Sequence, residues 1–109
     1  MKKAEIKLTI DLDDNNVPES ITWESTDAEN KEALPVKSMM LALWDHNYKN
    51  TLRIDLWTKD MMVDEMKKFY IQNILTLTDT FQKATGDDAT AAAVKDFFSE
   101  VGKRIGVLQ

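Results

Sequence analysis

The chain of 109 residues contains no cysteine, one histidine, two prolines and three glycines, all of the glycines beyond residue 85. The absence of cysteine excludes disulfides, thiolate zinc sites and cysteine nucleophiles. Without glycine in its first 85 residues the chain has no glycine-rich loop to cradle a phosphate. One histidine among scattered carboxylates does not make a metal-ligand spacing, so no metal and no cofactor is expected. Positive charge is the minority sign: 14 Lys and Arg face 19 Asp and Glu, for a net charge of −5. That argues against nucleic acid as a partner, because binding a phosphate backbone needs clustered Lys and Arg. No apolar run approaches the roughly 20 residues that cross a bilayer, so no direct membrane insertion is expected. The start, MKKAEIKLTID, alternates charged and apolar residues, unlike the unbroken apolar core of about 7–15 residues in a secretory signal. A cytoplasmic location is the expectation.

What the chain does have is ordinary globular material: 43% hydrophobic and 30% charged residues. Its length suits one domain, 1–109, with a core that needs no staples. Ile6, Leu8, Ile10 and Leu12 alternate with Glu5, Lys7, Thr9 and Asp11, which predicts a half-buried strand over about 4–12. Asp13 to Asn16 and then Pro18 make a turn through side-chain hydrogen bonds and a fixed φ. Ile21 and Trp23 mark a second strand at about 20–25. The polar stretch TDAENKEALP, 26–35, reads as a loop with room for a short helical turn. Strands at about 37–45 and 51–58 follow, joined by DHNYKN.

Asp60 is placed to cap a helix over about 61–84, with Asp64 and Glu65 near its positive end. Met62, Met66, Tyr70, Ile74, Leu77 and Phe81 recur at threes and fours, giving one apolar stripe. Ile71 and Leu75 widen it beyond what one sheet needs. Gly86 ends that helix, and Asp87 or Asp88 caps a second over about 88–105, with Val94, Phe97, Phe98, Val101 and Ile105 on one face. Gly102 and Gly106 weaken its last turns. The string predicts an α+β fold: a four-stranded antiparallel sheet followed by two C-terminal helices packed on one face.

Chemistry is sparse along this scaffold. His46 beside Asp45 could serve as a general base, but no nucleophile accompanies it, and a solvated turn histidine is the simpler reading. Asp11, Asp13, Asp14 and Glu19 lie close together, yet the order of calcium ligands around a central glycine is missing. The helix aromatics read as core. Met39, Met40, Met61, Met62 and Met66 could supply an adaptable surface, although their spacing more often means core. No catalytic residue is assigned, and the protein is expected not to be an enzyme.

The third and fourth strands carry more information. Setting Leu43 beside Leu52, Leu41 beside Ile54 and Met39 beside Leu56 gathers six apolar side chains on one face. Such matching fixes the register, since a slip of one residue reverses every side chain. The opposite face then holds Met40, Ala42 and Trp44 beside Asp55, Arg53 and Thr51, with Trp57 at the end. Tryptophan and arginine are enriched in interface cores. The candidate interaction surface is therefore Met40, Trp44, Arg53, Asp55 and Trp57, joined by Ile71 and Leu75 from the first helix. Two helices cannot cover both faces of a four-stranded sheet, so a homodimer or tetramer is expected. The expected core faces Ile6, Leu8, Ile10, Ile21, Trp23, Leu41, Leu43, Ile54 and Leu56 toward Met66, Tyr70, Ile74, Leu77 and the Phe97–Val101 stripe. Ile54→Ala would then cost about 2–5 kcal/mol.

Three long strings, EIKLTIDLDDNNVPESITWEST (5–26), KSMMLALWD (37–45) and NTLRIDLWTKDMMVDEMKKFY (50–70), resemble the gliding-motility GldC family. The resemblance runs along nearly the whole chain and implies a small cytoplasmic accessory protein of the bacterial gliding apparatus. It carries no catalytic residues across, and its partners would be proteins of the gliding machinery. The molecular role it leaves is protein binding or assembly support. A second, architectural likeness is to the export chaperone SecB, which would imply binding of unfolded or exported polypeptides.

Overall fold

Five strands and two helices form among the described residues, which in this computed structural model are 2–27 and 32–108. The strands are β1 (Ile6–Leu12), β2 (Pro18–Ser25), β3 (Leu34–Val36), β4 (Ser38–Trp44) and β5 (Thr51–Trp57). The helices are α1 (Val63–Thr85) and α2 (Asp88–Arg104). Two compact units result, residues 1–61 with the strands and residues 62–109 with the helices. Among the described residues no helix is long and apolar enough to cross a membrane.

The α+β composition is as expected, but the single four-stranded sheet is not. The strands make two antiparallel sheets, one ordered β1-β2-β3 and one formed by β4 and β5. Two local causes explain the difference. Leu34, Pro35 and Val36 pair with Trp23, Thr22 and Ile21, so the end of the expected loop is an edge strand. Proline lacks a ladder donor and is tolerated at such an edge. The chain then breaks its ladder at Lys37, whose carbonyl accepts from the Thr58 backbone at 2.8 Å and from the Thr58 hydroxyl at 3.3 Å. The helical turn suggested within 26–35 falls largely on residues 28–31, which lie outside the described residues. With the four-stranded sheet gone, the likeness to SecB loses its basis.

The β1–β2 turn forms as its sequence dictates. Asp13 accepts from the amides of Asn15 and Val17 at 2.8 and 2.9 Å, and Asn16 takes the left-handed conformation at φ 62°. Lys59 adds its ammonium to the Asp13 carboxylate, and this partner, with the turn amides, holds the Asp13 pKa below its ordinary value. In the three-stranded sheet Ile21 sits on the central strand between Ile10 and Val36 and is 1% exposed.

In the helical unit, Glu65 accepts from the Met62 amide at 3.0 Å, closing the start of α1. Asp60, the expected cap, instead accepts from the Thr58 hydroxyl. Gly86 ends α1 in the left-handed conformation, φ 73°, and Asp87 caps α2 by accepting from the Thr90 amide at 3.0 Å. The helices form an antiparallel hairpin in which Tyr70 meets Phe98 edge-on, with centroids 6.2 Å apart. Lys95 pairs with Asp79 across it. Gly102 lies under a close approach: a Cβ there would lie 2.6 Å from Leu108 Cδ1, so that side chain would have to shift. Leu108 and Val107 both donate backbone hydrogen bonds to the Gly102 carbonyl, so the chain folds back over that glycine.

The expected core is only partly buried. Ile6, Leu43 and Ile54 are 73, 53 and 51% exposed, and Tyr70, Leu77 and Phe97 are 43, 58 and 63% exposed. Along α1 the buried positions are Ile71 and Thr78, roughly a quarter turn from the stripe of Met62, Tyr70, Leu77 and Phe81. Thr78 can be buried because its hydroxyl donates to the Ile74 carbonyl at 2.7 Å.

Candidate functional site

The β4–β5 hairpin has the register that apolar matching predicts, with Met39 opposite Leu56, Leu41 opposite Ile54 and Leu43 opposite Leu52. Its turn is organised by Asp45, whose carboxylate accepts from the amides of Asn47 and Tyr48 at 3.0 and 2.6 Å. Lys49 closes the turn at φ 52°. The carboxylate is thus engaged with the backbone, and His46 stands exposed beside it. Three of the four clustered carboxylates near the β1–β2 turn are similarly engaged. Asp13 and Glu19 meet the Lys59 ammonium, and Asp11 accepts from the Ser20 hydroxyl at 2.8 Å.

On the outer face the pairing sets Met40 opposite Asp55, Ala42 opposite Arg53, Trp44 opposite Thr51 and Ser38 opposite Trp57. Five of the seven candidate residues therefore share one face of one hairpin. Trp44 and Trp57 are 69 and 57% exposed at its two ends, while Met40 is half-buried. Between them Arg53 forms a fork on Asp55, Nε to Oδ2 at 3.0 Å and Nη2 to Oδ1 at 2.9 Å. The guanidinium pulls the Asp55 pKa down, and the carboxylate raises that of Arg53. A bidentate pair of this kind holds the two side chains to each other.

Ile71 and Leu75, the other two candidates, lie in the helical unit. Both belong to α1, where Ile71 is 1% exposed and Leu75 is half-buried, so Ile71 offers no surface for a partner. Apolar residues that the sequence places in the core are in part open: Leu43 and Ile54 on the second face of the hairpin, where Leu52 is exposed beside them, and Tyr70, Leu77, Phe81 and Phe97 on the helices. The signal was the unusual width of the apolar stripe on α1: one helix carries two apolar lines, and only one is buried.

These features define the class: an α+β chain in which two small antiparallel sheets precede a helical hairpin, with aromatic residues displayed on one sheet face. The family model for gliding motility-associated, GldC-like proteins matches residues 18–106, and the chain belongs to that family. No curated protein and no solved structure matches it.

Proposed function

We propose that this protein serves gliding motility as a non-enzymatic, cytoplasmic accessory subunit that binds protein components of the gliding machinery through the outer face of its β4–β5 hairpin. Family membership supports the process. The observation that carries the contact role is the pair of exposed indoles, Trp44 and Trp57, flanking the Arg53–Asp55 fork. Large exposed aromatics beside an ordered arginine are the residue types that dominate binding energy at protein interfaces, where a few anchors outweigh the rest of the contact. The two tryptophans stand on neighbouring strands, one at each end of the same hairpin face.

The test is complementation of a gene deletion in a gliding host. Wild-type protein should restore colony spreading, and Trp44→Glu/Trp57→Glu, checked for native circular dichroism and wild-type abundance, should not. Full spreading with the double variant would refute the assignment of this face. Unimpaired spreading of the deletion strain itself would refute the role in gliding.

A further inference from the structure

The β5 strand is paired on one side alone, to β4. Hydrogen bonds from Asp45 to Asn50 and from Thr58 to Lys37 mark the two ends of the hairpin ladder as bonded pairs. Antiparallel ladders alternate bonded and non-bonded pairs. The bonded pairs between those ends are therefore Leu43–Leu52, Leu41–Ile54 and Met39–Leu56. The N–H and C=O groups of Thr51, Arg53, Asp55 and Trp57 consequently face away from β4. The Thr51 amide is held by Asn50 Oδ1 at 3.0 Å, which leaves the strand centre as the open part of the edge.

We infer that this edge pairs antiparallel with the β5 edge of a second copy of the chain, about a two-fold axis through Ile54. Charge and length select the same register. Ile54 is the midpoint of Thr51–Trp57, so centring there places the open middle of one strand against the open middle of the other. It also sets Arg53 opposite Asp55 and Asp55 opposite Arg53, so that each guanidinium neighbours two carboxylates and like charges meet only across diagonals. Centring on Arg53 would oppose two arginines, and centring on Asp55 two aspartates. A shift toward Leu52 would draw in Lys49, whose φ of 52° keeps it out of a ladder.

The same register completes the second face of the hairpin. Leu52 meets Leu56 of the other copy and Ile54 meets Ile54, extending three apolar rows, led by Leu43, Leu41 and Met39, across a four-stranded sheet. Leu52 and Ile54, 52 and 51% exposed in the single chain, lie at its centre. A lone two-stranded hairpin is marginal in water, and a third and fourth strand relieve that. Asp55, Leu56 and Trp57 line a cleft with Asn16–Pro18, closed at its far end where the Lys59 amide donates to the Pro18 carbonyl at 3.3 Å, so the incoming strand enters that cleft and the ladder rests on the Arg53–Asp55 pairs. Of the other sheet edges among the described residues, β3 is only three residues long and contains Pro35, and β1 has its register broken between Asp11 and Leu12, both of which blunt an edge against pairing. The role in gliding proposed above does not depend on this pairing.

Because the chain has no cysteine, a single introduced thiol reports the axis. Ile54 faces its own counterpart as a non-bonded pair, with Cα atoms about 4.5 Å apart, inside the range a disulfide bridges. Leu52 is equally exposed but lies four residues, about 13 Å along the strand, from its counterpart. Ile54→Cys should oxidise to a covalent dimer while Leu52→Cys stays monomeric. A second experiment reads the charges, with size measured by light scattering and the fold of each variant checked by circular dichroism. Arg53→Asp and Asp55→Arg should each weaken self-association by more than about tenfold. Mixed one to one, the two should form a heterodimer, since every cross-strand pair is then opposite in sign. Equal cross-linking at 52 and 54, no cross-linking at 54, a wild-type chain that stays monomeric, or variants that fail to pair when mixed would each overturn the inference.

Discussion

Ile21 and Ile54 are the same side chain in strands of the same unit, but burial separates them, 1% against 51% exposed. Replacing Ile21 by alanine removes atoms that are wholly out of water and leaves a cavity between Ile10 and Val36, at a cost of about 2–5 kcal/mol. At Ile54 about half of the roughly 1.5–3 kcal/mol of full burial is in place, and no sealed cavity forms, so the cost falls to about 1 kcal/mol. That corrects the value expected from the sequence, which assumed a covered face. Urea denaturation followed by tryptophan fluorescence measures both, because Trp23, Trp44 and Trp57 all lie in the first unit. With an m-value of about 1–3 kcal/mol/M, Ile21→Ala should lower the midpoint by about 1–3 M and Ile54→Ala by less than about 1 M. The protein should be at about 1 μM, where mass action disfavours pairing of chains. Equal shifts for the two variants would refute the burial pattern described for the strands.

Further predictions concern the helices and the turns. Asp87→Ala removes the acceptor for the Thr90 amide and should cost about 0.5–2 kcal/mol, read as an earlier loss of helical circular dichroism on heating. Gly86→Ala forces a side chain into φ 73° and should destabilise the helical unit by about 1 kcal/mol in the same assay. Asp13 is held ionised by Lys59 and the turn amides, and its pKa lies below the ordinary 3.8. Its stabilising contribution is therefore present above that value and is lost as pH falls through and below it. The urea midpoint of the strand unit should drop below about pH 4, and Asp13→Asn should flatten that drop.

The parts of the fold legible in the sequence are those where one local rule decides. Three apolar pairs fix the β4–β5 register, Asp13 and Asn16 shape their turn, and Gly86 with Asp87 separates the helices. The illegible parts are those where a rule had a competitor. Three residues around a proline carry too little alternation to announce β3. The ladder break at Lys37 depends on Thr58, 21 residues away. Asp60 and Glu65 could each close the start of α1, and the Thr58 hydroxyl engages the first. The buried line of α1 includes Thr78, a polar residue that the apolar pattern does not mark, with its hydroxyl bonded to its own helix. The candidate site follows the same division. Alternation collects Met40, Trp44, Arg53, Asp55 and Trp57 on one face, whereas Ile71 belonged to the other line of the helix and is buried.

The central claim, that the outer hairpin face binds components of the gliding machinery, is tested most directly by quantitative affinity purification from a gliding host. Three baits are compared at equal abundance: the wild-type chain, Trp44→Glu/Trp57→Glu, and Ile6→Glu, a control at a residue 73% exposed on β1. Gliding-machinery proteins should be recovered with the wild-type and control baits and fall to background with the double variant. Recovery of the same gliding proteins at the same level by all three baits would contradict it.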